Sequence, residues 1–190
     1  MTIEIDNADK IFFPDAGYTK ADLVAYYRRI APQMRPHIEN RPLTLHRFPD
    51  GIDGVNFIQK SVAEHYPDWV ERVTVDKEDG HITHALAADA DTLAWLVDQG
   101  TVAFHVWLSR ADKPYRPDRL IFDLDPPGDD FAVVVRAARA VRAHLGQLGL
   151  EAFVMTTGSS GLHVTVPLER RHDFECVRDF AARVAAAGGR

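Results

Sequence analysis

Two aspartates separated by one residue, Asp123 and Asp125 in FDLDPP, close an apolar run. On a strand, residues i and i+2 point to one face, so both carboxylates converge on the same side. Carboxylates that close repel each other unless a cation lies between them or one is protonated. Mg²⁺ and Mn²⁺ are hard ions that accept carboxylate oxygens, with water and substrate phosphates completing the shell. The pair therefore reads as a divalent-metal site for phosphoryl or nucleotidyl transfer. The competing reading is a strand-end turn held by carboxylate–backbone hydrogen bonds. Asp129 and Asp130 suit the start of a following helix, where negative charge meets the helix dipole.

The stretch from Thr156 to His163 (TTGSSGLH) joins two expected strands. Gly158 and Gly161 permit backbone geometry closed to other residues. Successive N–H groups in such a turn can cradle an anion, and Thr157, Ser159 and Ser160 add hydroxyls. His163, on the outgoing strand, is placed to donate to a triphosphate. A tight turn followed by a strand histidine is the alternative. No Lys follows the glycines in the manner of a Walker loop.

Other candidates are more dispersed. Lys10 and Lys20 flank a loop holding Phe12, Phe13 and Pro14, and read either as a phosphate-end site or as solvated lysines beside a buried aromatic pair. Phe57, after a Gly-rich turn, reads as a base-stacking platform or as a core residue. His105, in FHVWLSR, lies on a strand expected beside that of Asp123 and on its own reads as a satisfied core histidine. His81 and His84 fall on opposite faces of an expected strand and form no metal pair; His46 and the remaining histidines carry no signal. Cys176 is the sole cysteine, which excludes a zinc cluster and an internal disulfide and points to a reducing cytoplasm.

The elements that must position these groups follow from periodicity. Residues 2–5 alternate as a strand. Thr19 caps a helix over 20–34, with Asp22 three residues later as an imperfect capping box and Pro36 ending it. Strands are expected at 42–48 and 55–60 as a hairpin, at 70–76 and 81–86 around Glu78-Asp79-Gly80, and at 101–108. Asp89 caps a helix over 89–98. A buried strand at 119–124 precedes a helix over 130–148 that Gly146 and Gly149 end. Strands at 151–156 and 162–168 and a helix over 172–187 complete an α/β (mixed α+β) order, read as one unit over 1–190.

The chain has 190 residues, 46% of them hydrophobic and 26% charged, the balance of an ordinary globular domain. No apolar run reaches membrane-spanning length, and the acidic start MTIEIDNADK lacks a signal-peptide pattern. Net charge is −6, against the basic footprint of a typical nucleic-acid binder. Charge is uneven, however: between Lys10 and Lys60 basic residues outnumber acids, and acids gather at 76–98 and 123–130.

Taken together, NADKIFFPDAGYTKADLVAYY, RPLTLHRFPDGIDGVNFIQK, FHVWLSR, LIFDLDPP and TTGSSGLHVTVPL resemble, in order and spacing, the polymerase domain of the bacterial non-homologous end-joining ligase, ligase D. This is a branch of the archaeo-eukaryotic primase superfamily. The resemblance runs from residue 2 to about 184 and implies a primase-polymerase-like fold of mixed β-sheets with packed helices. It implies that Asp123 and Asp125 hold Mn²⁺ or Mg²⁺. Thr157, Ser159 and His163 match residues holding the nucleotide's phosphates, with Ser160 in the same loop, and His105 matches a histidine near the nucleotide. Asn7, Lys10 and Lys20 match a pocket for the 5′-phosphate of a gap or overhang, and Phe57 an aromatic that packs against the template.

Three departures stand out. Ser160 replaces a phosphate-contacting Lys or Arg, Ile58 replaces a second Phe, and the family's third metal-binding Asp and later basic residues are not found before Arg190. The implied function is nucleotide addition, preferentially of ribonucleotides, at DNA ends with a 5′-phosphate during end joining. The alternative is a catalytically incomplete module that binds DNA ends. Implied partners are DNA ends, nucleoside triphosphates, a Ku-type protein and a DNA ligase, with no membrane and a bacterial cytoplasmic, nucleoid-associated location.

Overall fold

Thr19 opens the first long helix, α1 (Lys20–Ile38), with the capping box that its sequence announces. Its Oγ1 accepts from the Asp22 N–H at 3.2 Å, and the Asp22 carboxylate accepts from the Thr19 N–H at 2.8 Å. The next amides are satisfied by main chain: Lys20 N–H donates to the Lys10 carbonyl and Ala21 N–H to that of Ala8. The expected stop before Pro36 is overturned, since Pro32 and Pro36 both lie inside the helix. Pro36 removes one donor, but the Glu39 N–H still closes on the Arg35 carbonyl at 2.9 Å, and the buried stripe Leu23, Tyr27, Ala31, Ile38 runs past it.

In this computed structural model residues 3–87 and 89–188 are described. They form two compact units, Met1–Trp107 and Leu108–Arg190. In the first, β1 (Ile11–Phe13) pairs with β2 (Tyr18–Thr19), strands too short to show a period. The strand expected at 2–5 is absent at residues 3–5, and Thr2 lies outside the described residues. Ile3 and Ile5 alternate because they pack against the Phe12, Leu23, Val24 and Val97 cluster.

β3 (Leu43–Arg47) pairs antiparallel with β4 (Phe57–Gln59), the expected hairpin. β5 (Arg72–Lys77) and β6 (Gly80–Ala85) form the second hairpin. Asp89 caps α2 (Ala90–Asp98) by accepting from the Thr92 N–H at 2.7 Å. β7 (Thr101–Val106) completes a sheet of order β4-β3-β7. A bulge between His46 and Arg47 shifts the β3–β7 register.

The second unit begins with β8 (Arg119–Leu124), followed by α3 (Phe131–Gln147), β9 (Phe153–Thr156), β10 (Leu162–Pro167) and α4 (Phe174–Gly188). The sheet order is β8-β10-β9, all antiparallel. One face, Leu120, Phe122, Leu162, Val164 and Val166, packs against Val134, Val141, Leu145 and Val184 of the two helices. β8 was expected to be buried throughout; instead Leu120 and Phe122 are buried while Asp123 is exposed, because β8 is an edge strand with helices on one side. The expected pairing of β8 with the strand of His105 is not found: β7 pairs with β3, in a different sheet from β8. Gly146 stays within α3, and Gly149, at φ +74°, follows its end.

Candidate functional site

The β8–β10 register builds the first cluster. Asp123 lies opposite His163, and Leu124 opposite Leu162. Continuing by one residue brings Asp125 against Gly161, on the same face as Asp123. The His163 Nε2 is 3.2 Å from Asp123 Oδ1. The His163 Nδ1 is buried without a hydrogen-bond partner among the described residues. A proton there would be buried with no acceptor, so the surroundings favour the Nε2–H tautomer, which donates to Asp123.

Asp125 reaches the loop between β9 and β10. A Cβ on Gly161 would lie 2.5 Å from Asp125 Oδ1 and 2.8 Å from the Leu124 carbonyl oxygen, so only glycine fits beneath this carboxylate. Within the loop the Thr157 hydroxyl is fully engaged. It accepts from Gly161 N–H at 3.1 Å and Ser159 N–H at 3.4 Å, and donates to the Gly161 carbonyl at 3.2 Å. The expected cradle of successive amides is thus altered, since two of those amides turn toward Thr157. Ser159 and Ser160 are exposed.

This cluster fits one hard divalent ion. Asp123 and Asp125 offer exposed carboxylates on one face, and Mg²⁺ is commonly held by one or two carboxylates with water and phosphate oxygens. Among the described residues no group of three His, Cys, Asp or Glu is arranged to hold a metal, and these two carboxylates are the ligands the cluster offers.

A second cluster lies wholly in the first unit, around a cavity of ≈ 220 Å³ lined by Asn7, Lys10, Lys20, Arg47, Asp98 and Gly100 among others. Asn7, in the left-handed region at φ +50°, makes the turn that Lys10 N–H closes on its carbonyl. Lys20 is not the solvated group of the alternative reading, while Lys10 keeps 37% of its side-chain surface. Lys20 is buried, 2.7 Å from Asp98 Oδ1, and donates to the Asp6 carbonyl at 2.6 Å. Lys10 donates to the Pro49 carbonyl at 2.8 Å and to Asp50 at 2.7 Å. Gly100, at φ +87°, approaches Pro49 so closely that a Cβ would sit 3.1 Å from its Cα.

Arg47, displaced by the bulge, joins this cavity to Phe57. Its guanidinium donates to the Gln99 carbonyl and to Gln59 Oε1 at 2.7 Å, and lies 5.4 Å over the Phe57 ring. Burial lowers the Arg47 pKa from its usual value, which leaves an arginine charged at neutral pH. Phe57 is 43% exposed, which removes the core reading. Arg47, Asp98 and Gly100 were missed in sequence, as was His46. The His46 ring lies 6.3 Å from that of exposed His105 and is fixed by Asn56 at 2.9 Å. Alternation in LTLHR was the available signal, since it puts His46 beside Thr44 on one face.

Comparisons with known proteins decide the family. The model of the LigD primase-polymerase domain matches residues 19–189. The chain belongs to the LigD primase-polymerase domain family. It is 38% identical over 192 residues to the multifunctional non-homologous end joining DNA repair protein LigD of Mycobacterium tuberculosis, covering 96% of this chain and 25% of that protein. It is 32% identical to Pseudomonas aeruginosa LigD (96% and 22%) and 31% identical to the bifunctional Bacillus subtilis LigD (96% and 30%). The chain thus spans between about a fifth and a third of these relatives. The polymerase domain of M. tuberculosis ligase D, solved in complex with DNA, superposes with a TM-score of 0.91 at 36% identity, over 98% of this chain and 68% of that one. The expected mixed α+β primase-polymerase fold of the LigD family is therefore the observed one.

Proposed function

We propose that this LigD-family chain binds DNA ends and supports primase-polymerase-type nucleotidyl transfer at gaps or overhangs during end joining. The observation that carries the reading is the β8–β10 register, which sets Asp123 against His163 and Asp125 against the Gly158–Gly161 loop in a chain of this family. In the reaction the primer 3′-hydroxyl oxygen attacks the α-phosphorus of a nucleoside triphosphate. The bond to the bridging α–β oxygen breaks, pyrophosphate leaves, and the hydroxyl proton passes to solvent. Mn²⁺ or Mg²⁺ held by Asp123 and Asp125 would supply charge neutralisation at the triphosphate. His163, as the Nε2–H tautomer, spends its one proton on Asp123 and orients that carboxylate; Ser159 and Ser160 offer exposed hydroxyls, and His105 is assigned to the nucleotide. Asn7, Lys10 and Lys20 line the cavity assigned to a 5′-phosphate, and Phe57 offers a face for a template base. A Ku-type protein and a DNA ligase are the partners this reading implies.

A second reading, a DNA-end-binding module without catalysis, is favoured by the lack of a three-ligand metal group among the described residues. Primer extension on a 5′-phosphorylated gapped duplex with Mn²⁺ and each ribo- and deoxyribonucleoside triphosphate separates the two, with DNA binding followed in parallel. Incorporation lost in Asp123→Ala/Asp125→Ala supports the transferase. Binding without incorporation supports the module. Equal affinity for phosphorylated and dephosphorylated DNA would remove the phosphate cavity from both.

A further inference from the structure

We propose that a cavity beside the β1–β2 hairpin of the first unit takes an unpaired base of a DNA end, with preference for a base that carries an exocyclic amino group. This rests on the reading that the chain binds DNA ends. The cavity, of ≈ 420 Å³, is walled by Phe13, Tyr18 and Tyr26, with Leu23, Asp22 and Arg29 also in its lining. Leu23 is buried, while Tyr18 and Tyr26 are 59% and 43% exposed. Stacking on a nucleobase uses open aromatic faces of this kind, and a neighbouring arginine adds a cation–π contribution. Arg29 is such a neighbour. Its guanidinium carbon lies 5.9 Å from the centre of the Tyr26 ring, and it has no carboxylate partner among the described residues.

Asp22 decides that a base enters and not a phosphate. Its Oδ2 accepts from the Thr19 N–H and hydroxyl, both at 2.8 Å, and its Oδ1 has no partner among the described residues. Those two bonds hold the carboxyl below its ordinary pKa, so it is ionised at neutral pH. It then repels a phosphate and accepts from an amino group, as carboxylates do from cytosine N4. The hairpin links this cavity to the one assigned to the 5′-phosphate. Phe12 and Lys20 line that cavity, and Phe13 and Tyr18 line this one; Phe12 and Phe13 part because neighbouring strand residues face opposite sides. The Lys20 N–H closes the hairpin on the Lys10 carbonyl at 2.8 Å. A 5′ end with its phosphate in the first cavity and its leading nucleotides unpaired has only this short hairpin to pass to reach the second. A fully paired 5′ end has no base to place there.

The test titrates the protein with 5′-phosphorylated DNAs: a gapped duplex whose 5′ end is paired, and duplexes ending in a short unpaired 5′ tail of deoxycytidine or of deoxythymidine. Tyr18→Ala and Tyr26→Leu should each weaken binding of the deoxycytidine tail about tenfold, the worth of one base–aromatic stack. Tyr26→Phe, which keeps the ring, should match wild type, and all three variants should bind the gapped duplex as wild type does. Wild type should favour the deoxycytidine tail over the deoxythymidine tail about fivefold, one hydrogen bond's worth, and Asp22→Ala should lose that preference. A 2-aminopurine placed in the tail should dim on binding to wild type and stay bright with Tyr18→Ala/Tyr26→Leu. Tail affinity untouched by the tyrosine variants, or an undimmed 2-aminopurine with wild type, would overturn the base site while the DNA-end reading stands. Equal loss on tailed and gapped DNA would make the tyrosines structural and overturn it too. Equal affinity of wild type for the two tails would overturn the selection by Asp22. If wild type binds neither the gapped nor the tailed DNA, the DNA-end reading itself fails and the base site falls with it.

Discussion

The two lysines of the first unit's cavity are chemically alike and energetically unlike. Lys20 and Asp98 are both nearly inaccessible and 2.7 Å apart, whereas Lys10 and Asp50 keep 37% and 67% of their side-chain surface. Breaking a buried pair strands the remaining charge, which costs about 3–5 kcal/mol, while an exposed pair contributes at most ~1 kcal/mol. Lys20→Met is expected to lower stability by that larger amount in urea melts. Lys10→Ala should unfold within about 1 kcal/mol of wild type and still lose preference for 5′-phosphorylated over dephosphorylated DNA in a binding titration. Lys10 is therefore the informative position for end recognition: a Lys20 variant confounds loss of phosphate with loss of fold. Retained preference in a folded Lys10→Ala protein would place the phosphate elsewhere.

At the level of elements, capping residues were the most legible part of the sequence. Thr19 with Asp22, and Asp89, cap the expected helices because capping depends on residues three apart, which adjacent text records. Thr19→Ala should cost about 1 kcal/mol through loss of the cap, read from the shift in urea midpoint. The Asp22 carboxyl sits below its ordinary pKa because the Thr19 N–H and hydroxyl donate to it. A depressed acid stabilises the fold above its unfolded pKa of about 3.9 and loses that contribution as pH falls through the folded value. The stability gap between wild type and Asp22→Asn should therefore narrow on acidification below about pH 4; a gap constant with pH would show that the charge is not involved. What was illegible is what distance in sequence hides. Asp98 reads as an unremarkable helix-end acid until folding sets it beside Lys20 and Asp6, and Arg47 gains its place from a bulge that strand alternation cannot announce. The Asp123–His163 pairing was readable as two candidate residues, but their register was not. Pro36 misled because its local cost is outweighed by burial of Ile38.

Across the whole molecule, surface distribution matters more than the net charge of −6. β9 is the edge of its sheet, and Phe153, Val154 and Met155 are 52%, 65% and 55% exposed. An apolar edge strand with unpaired backbone groups is a site for strand-to-strand association, and a lysine there blunts it. The 190-residue chain should show concentration-dependent association in sedimentation velocity, reduced in Val154→Lys; identical behaviour of the two would acquit β9. The cavity lined by Lys10 and Lys20 has a different whole-chain consequence, concerning the order of events during folding. Its walls join positions far apart: Asp6 to Asp98 across 92 residues and Lys10 to Pro49 across 39. Closing such loops takes entropy before any contact returns stability, so these contacts form late. Lys10 and Lys20 stand at a local hairpin and helix start, whereas Pro49 and Asp98, which enclose them, are distant in sequence. If this cavity takes the 5′-phosphate as proposed, discrimination between one kind of DNA end and another is a property of the completed fold, because its walls come from distant parts of the chain.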